Sequence, residues 1–365
     1  MSLWAFGSNA HGQLGVGTGD DAHVPTRSIF QDAHGSTIEP IPVSISGGAN
    51  HSVIVTSRGE VFSSGRNDVG QIGLAESEDR LVFTRVKGID GAVGVSCGWD
   101  HTAVLTGSGE VYVFGSNKYG QLGVGAPVSS THQPTKVPGL PGNVKKVACG
   151  MRFTMVVTED GEVWAWGSNR HGEVGLVAKS AAGIIFDPVR VPINAVDVAC
   201  GQYHTVYLNT DGVLVCCGRN RHGQLSGTDK TITSNQIPAT KDGAVRTIFA
   251  GWSFSGFLDT YSGTVTGWGR NDHAQLAIPP ASICASPTRS TCLTNVQQIA
   301  CGSEHALGLD ATGTCYAWGW NEHGNCGVGN TADVLEPRAI VMSAPVTLVG
   351  CGYGHSIIFT QPAVQ

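Results

Sequence analysis

Charged side chains are scarce: Asp, Glu, Lys and Arg make up 14% of the 365 residues and leave a formal net charge of −6. An acidic chain with no basic excess offers phosphate backbones no non-specific attraction, so direct nucleic-acid binding is not expected. No apolar run approaches the roughly 18 residues that a membrane-spanning helix needs. Met1–Asn9 reads as a strand and not as a charged segment followed by an apolar core, so a protein of the cytosol or nucleus with no membrane partner is expected. The cysteines do not pair off either, because there are eleven of them. Without a secretory leader, free buried thiols are expected in place of a disulfide framework.

Catalytic constellations are also missing. Gly15-Val16-Gly17 is followed by no Gly-Lys-Ser/Thr and lies in no βαβ context, so it reads as a turn. No Ser-His-Asp arrangement and no paired-carboxylate motif stands out. The sequence therefore assigns no catalytic residue, no metal and no cofactor.

What the chain has in abundance is glycine, 51 residues of it, at recurring places. Phe6-Gly7-Ser8-Asn9 followed by Gly12-Gln13-Leu14-Gly15 is echoed at Gly65, Gly115, Gly167, Gly218, Gly269 and Gly319, a period of about 51 residues. A second signature, Gly followed three residues later by His or Phe and then an apolar strand, recurs at Gly48, Gly98, Gly150, Gly201, Gly251, Gly302 and Gly352. A hairpin lies between the two, as in His101–Thr106, Gly107-Ser108-Gly109 and Glu110–Phe114, with alternating apolar positions around a glycine turn. Weaker strands such as Val144–Ala148, Val196–Ala199 and Val296–Ala300 carry the chain into the next unit. Seven blade-sized units of four strands predict an all-β, seven-bladed propeller. The first copy starts with one half of the unit and the last ends with the other. Leu3–Gly7 is therefore expected to complete a blade with Val346–Thr360 and hide both open edges.

Gly-x-Asn-x-x-Gly-Gln-Leu-Gly and Cys/Gly-Gly-x-x-His-Ser/Thr together resemble the regulator of chromosome condensation repeat over essentially the whole chain. The resemblance implies the same propeller, on which relatives perform different tasks, from nucleotide exchange on small GTPases to scaffolding. Cys97-Gly98-Trp99-Asp100, Cys301–His305 and Trp318–Gly327 are similar to strings in two subfamilies. These are the secretion-regulating guanine nucleotide exchange factors and the propellers of the diphthamide and Elongator pathways. The second resemblance implies a partnership with a small zinc-binding electron-carrier protein that serves diphthamide synthesis and tRNA wobble-uridine modification. Compared with the chromosomal exchange factor for Ran, the chain lacks the wedge after Gly115 and the basic N-terminal tail. It also has Arg152 where that factor is acidic, and Ser253-Phe254 where it has a functional histidine. Exchange on chromatin-bound Ran is not expected; exchange on another small GTPase stays open.

Cys97/His101, Cys200/His204, Cys301/His305 and Cys351/His355 each spell Cys-x-x-x-His, a pair of zinc-ligand types. The copies belong to different blades, however, and an extended chain separates positions four apart by more than about 10 Å. The pattern also lapses at Phe153, Phe254 and Ala250. The histidines are expected to pack between blades with a ring nitrogen bonded to the neighbouring strand, and the cysteines to fill small apolar positions.

The residues that point to partner binding are large aromatics at turn positions, Trp99, Trp252, Trp320 and Tyr353, with Asp100, Asn321, Glu322 and His323 beside them. Exposed aromatics among polar neighbours are typical of interface hot spots, while the alternative for each ring is to cover the end of its own blade. The longer stretches 18–46 and Pro279–Cys292 are candidate binding loops or spacers. The expected protein is a non-catalytic interaction propeller, monomeric or paired with its partner.

Overall fold

Each blade grows from a hairpin. In the second blade His101–Thr106 pairs antiparallel with Val111–Ser116, setting His101 opposite Gly115 and Leu105 opposite Val111. Ala92–Cys97 lies on the channel side of the hairpin and Ser130–Lys136 on the outer side, giving the order outer to inner seen in all blades. The hairpin turns sharply into its outer connection at Gly115, whose φ is +108° and where a Cβ would lie 2.4 Å from the Asp100 carbonyl. Only glycine fits that bend. Asn117 then organises the turn: its Oδ1 accepts from Leu122 N at 3.0 Å and its Nδ2 donates to the carbonyls of Gly125 and Val128.

The computed structural model describes residues 1–361 apart from 33, 127, 177–182, 232 and 238–244. Their strands form seven sheets arranged as a seven-bladed propeller, six of them four-stranded. The channel-side strands are Pro42–Gly47, Ala92–Cys97, Val144–Cys149, Asp197–Cys200, Val245–Ala250, Val296–Cys301 and Val346–Cys351. Ser2–Gly7 pairs with His355–Thr360 over six residues and takes Ala22–Arg27 as its outer neighbour, so the chain's two ends build the seventh blade together.

The stretch 18–46 is mostly sheet. After the strand Ala22–Arg27, Phe30–Gln31 adds in parallel to Phe83–Thr84 and Thr37–Ile38 pairs with Phe30–Gln31, widening the first blade to six strands. Phe30 drives this: it is buried, stacked on Phe83 at 4.8 Å and edge-on to Phe62 at 5.5 Å. Pro279–Cys292 is likewise largely sheet and not a loop, because Ala281–Arg289 is the outer strand of the fifth blade.

Apolar side chains meet between blades, and a polar belt runs through the same seams. His51 Nε2 lies 2.9 Å from Thr102 Oγ1, and the same contact joins His101 to Thr154, His204 to Ser255, His305 to Ser356 and His355 to Ser52. Each hydroxyl donates onward to a turn carbonyl, of Gln71, Gln121, Gln224, Asn325 and Gln13 in that order. Having given its proton away, the hydroxyl accepts from Nε2–H, so the imidazoles are neutral with Nδ1 bare. Burial pushes their pKa values down to about 3 or 4. Two seams lack the contact. Thr205, the next-blade hydroxyl after Phe153, turns to the sulfur of Met155 at 3.4 Å, and Phe254 shares its apolar cluster with Ala306, which has no hydroxyl to satisfy.

All eleven cysteines are free. Cys97, Cys149 and Cys200 direct their thiols at the carbonyls of Ser46, Ser96 and Ala148 on the preceding blade. Burial pushes the thiols of Cys97, Cys149 and Cys351 up to about 12, so they stay protonated spacers in the inner seam.

Candidate functional site

The second glycine signature builds one end of the channel. A Cβ on Gly98 would stand 2.0 Å from His101 Cε1 and 2.6 Å from the Gly150 carbonyl, so glycine lets the histidine fold back and the next blade approach. The residues after these glycines form a ring of turns latched by backbone hydrogen bonds. Trp99 N donates to Met151 O, Trp252 N to Ser303 O, Ser303 N to Tyr353 O and Tyr353 N to Gly48 O, each at 3.0 Å.

Three of those residues are the aromatics singled out above. Trp99 and Trp252 stack with centroids 5.7 Å apart, and Tyr353 lies 5.5 Å from the first and 5.3 Å from the second. They come from the second, fifth and seventh blades, so they meet across the axis and close the mouth of the channel with one aromatic plug. Each ring thus covers the shared channel and not only its own blade. Trp252 Nε1 is buried and has no hydrogen-bond partner among the described residues. Burial holds the Tyr353 hydroxyl well above its ordinary pKa. Asp100 stands beside the plug, accepting from Gln121 Nε2 at 3.2 Å, and burial raises its carboxyl although Gln121 and Arg152 pull the other way.

The remaining candidates form a second group on the same end, since Trp320 N bonds back to Glu304 O. Trp320 is half-buried and lies edge-on to His323 at 5.5 Å; His323 Nδ1 contacts Asp21 Oδ2 of the seventh blade at 2.8 Å; Glu322 is exposed. Asn321 has to be moved out of the partner-facing set. It is fully buried, with Oδ1 accepting from Cys326 N and Nδ2 donating to the carbonyls of Asn330 and Ala332. Asn9, Asn67, Asn117, Asn169, Asn220 and Asn271 bond in the same manner in the other six turns.

Two features of this end escaped the reading of the sequence. Glu304 is a buried carboxylate held by Arg270 Nη1 at 3.2 Å and Gln275 Nε2 at 2.5 Å; burial outweighs both and pushes its pKa up to about 7. A cluster of basic side chains also occupies the third and fourth blades. Arg152 lies over the Tyr119 ring at 4.3 Å, Arg219 lies 5.7 Å from the Tyr203 ring, and His171 meets the same tyrosine edge-on at 5.4 Å. Net charge had hidden this basic surface, although the strings Asn169-Arg170-His171 and Arg219-Asn220-Arg221-His222 mark it in the fourth and fifth turn copies. Among the described residues no three His, Cys, Asp or Glu side chains converge as a metal site would require.

The RCC1-like domain model matches residues 2–358. The chain belongs to the RCC1-like domain family. This RCC1-like propeller is 34% identical to the secretion-regulating guanine nucleotide exchange factor of Mus musculus, over 98% of its own length and 83% of the relative's. Its fold matches human WBSCR16 with a TM-score of 0.85 at 23% identity, covering 99% of this chain and 100% of that one. Prp20p from Saccharomyces cerevisiae, whose structure was described with its binding to Gsp1p and histones, superposes with a TM-score of 0.84 at 21% identity, covering 98% and 90% of the two chains. The propeller is thus related to proteins of the exchange-factor type.

Proposed function

We propose that this RCC1-like propeller acts by docking a small protein over the end of the channel that carries Trp99, Asp100, Trp252 and Tyr353, with Trp320, Glu322 and His323 at its rim. One observation carries the reading: aromatic rings from three separate blades are gathered in one place, and they include a buried indole N–H with no partner among the described residues. Such a cluster beside polar groups matches the centre-and-rim pattern of protein interfaces. The partner is a zinc-binding electron-carrier protein of diphthamide synthesis and Elongator-dependent tRNA modification, met in the cytosol or nucleus. The motif strings around Trp99 and Trp320 support that choice.

A second reading, guanine nucleotide exchange on a small GTPase other than chromatin-bound Ran, is favoured by the likeness to the mouse exchange factor along 98% of the chain. Capture of partners from cells, followed by nucleotide-release kinetics on any GTPase recovered, separates the two. Recovery of the zinc protein by the wild type and its loss with Trp99→Ala or Glu322→Ala supports docking. Accelerated nucleotide release supports exchange. Unchanged capture by folded variants overturns the assigned interface.

A further inference from the structure

Charge is distributed unevenly around the channel mouth. In the seventh, first and sixth blades the amide of the turn asparagine is capped by a carboxylate: Asn9 by Asp21, Asn67 by Asp79 and Asn321 by Asp333. The same aspartates contact His323, His11 and His273 at 2.7 to 2.8 Å. In the second and third blades the caps are backbone carbonyls, Ser129 O for Asn117 and Gly183 O for Asn169. An acidic arc thus faces an arc whose asparagine caps are carbonyls, and the Glu173 carboxylate of the third-blade turn is buried and turned onto His171 N at 2.7 Å.

The second arc is rich in cations. Between the third and fourth blades lies a cleft of about 470 Å³ with Arg170, His171, Arg219 and Lys230 on its walls and no Asp or Glu among its described lining residues. Asp229 is close in sequence but is turned onto Thr231, bonding its N and Oγ1 at 2.9 and 2.6 Å. Arg221 extends the patch beside His222, whose pKa is lowered by burial and by the charges of Arg270, Arg221 and Arg219. Among the described residues Arg170, Arg219, Arg221 and Lys230 have no carboxylate within ion-pair distance, whereas Arg270 is neutralised by Asp272 and Glu304.

We propose that this arc of the third and fourth blades is a docking site for an acidic polypeptide segment, whose carboxylates are held by Arg170, Arg219, Arg221 and Lys230. The inference rests on the protein-docking reading above and names the chemistry of the partner. Arginine forks match carboxylate geometry, and cations left without partners are available to such a ligand without breaking an existing pair. A nucleic acid fits less well. The tyrosines that its bases would stack on are already in contact with Arg152, Arg219 and His171.

Fluorescence anisotropy with a labelled Glu/Asp-rich peptide tests this, using a single-stranded RNA of similar length as competitor. Saturable, salt-sensitive binding is expected, weakened about tenfold or more by Arg170→Glu/Arg219→Glu and unchanged by Arg338→Glu on the outer strand of the sixth blade. Lys230→Glu provides an independent reversal if the double variant does not fold. Absence of saturable binding to the wild type, indifference to both reversals, or tighter binding of the RNA overturns the proposal. Loss of peptide binding with Trp99-dependent capture intact would remove this patch and leave the docking reading standing; peptide binding without Trp99-dependent capture would do the reverse.

Discussion

His355 Nε2 lies 2.7 Å from Ser52 Oγ, so the seam between the last blade and the first carries the same bond as the seams inside the chain. The ring is closed by side chains as well as by the strand Ser2–Gly7, which brings buried Leu3, Ala5 and Phe6 into the core.

Removing residues 1–8 takes away the middle of the seventh blade and exposes the edge of His355–Thr360. Burying one Leu or Phe is worth about 1.5–3 kcal/mol, and whole domains are stable by only about 5–15 kcal/mol. The truncated chain should lose its cooperative melt or aggregate; a melting curve like that of the full chain, followed by circular dichroism, would show that the closure does not matter.

The seam at Phe254 and Ala306 suggests a double-mutant cycle. Ser255→Ala strips His204 Nε2–H of its acceptor and should cost about 1–3 kcal/mol in denaturant titration. His204→Phe together with Ser255→Ala reproduces the Phe–Ala pairing of the next seam, and should lose less than the sum of the two single changes. Strict additivity would mean that the histidine and the hydroxyl do not act as a pair.

Gly98→Ala adds a single carbon where His101 Cε1 would be 2.0 Å away. Overpacking of this kind costs about 1–3 kcal/mol, so the midpoint of unfolding should drop. An unchanged midpoint would show that the turn yields easily.

Acid should destabilise the propeller. Above pH 6.5 the five belt histidines are neutral in both the folded and unfolded chain. Below that value the unfolded chain binds protons that the belt refuses, and each histidine removes about 1.4 kcal/mol per pH unit down to its native value. Glu304 opposes this, because its native pKa of about 7 lies above the ordinary 4.5 and it adds stability as pH falls between the two. Asp100 and Glu173, also raised by burial, act in the same direction as Glu304, but three carboxyls against five histidines leave a net loss, so the melting temperature should fall from pH 6.5 to 4.5. A flat profile would mean that the histidines take up protons in the folded state.

The seven glycine registers, the closing strand and the interblade place of the histidines were all legible in the sequence, because each copy carries its own turn residues and hydrophobic alternation. Sheet in 18–46 and 281–289 was not legible, since those outer strands are polar and only half-buried, and their pairing depends on neighbours such as Phe83 that lie far along the chain. Asn321 was misread because it sits beside exposed residues, while its own side chain points into the turn.

What the sequence determined by itself was the number of blades and the manner of ring closure, both consequences of local patterns that repeat. Tertiary structure alone decided that Trp99, Trp252 and Tyr353 meet in one plug, that Glu304 is buried beside Arg270, and that arginines without a carboxylate partner among the described residues collect on one arc of an acidic protein. These relations join residues from different blades. They exist only when the ring has closed and brought those blades around a common axis.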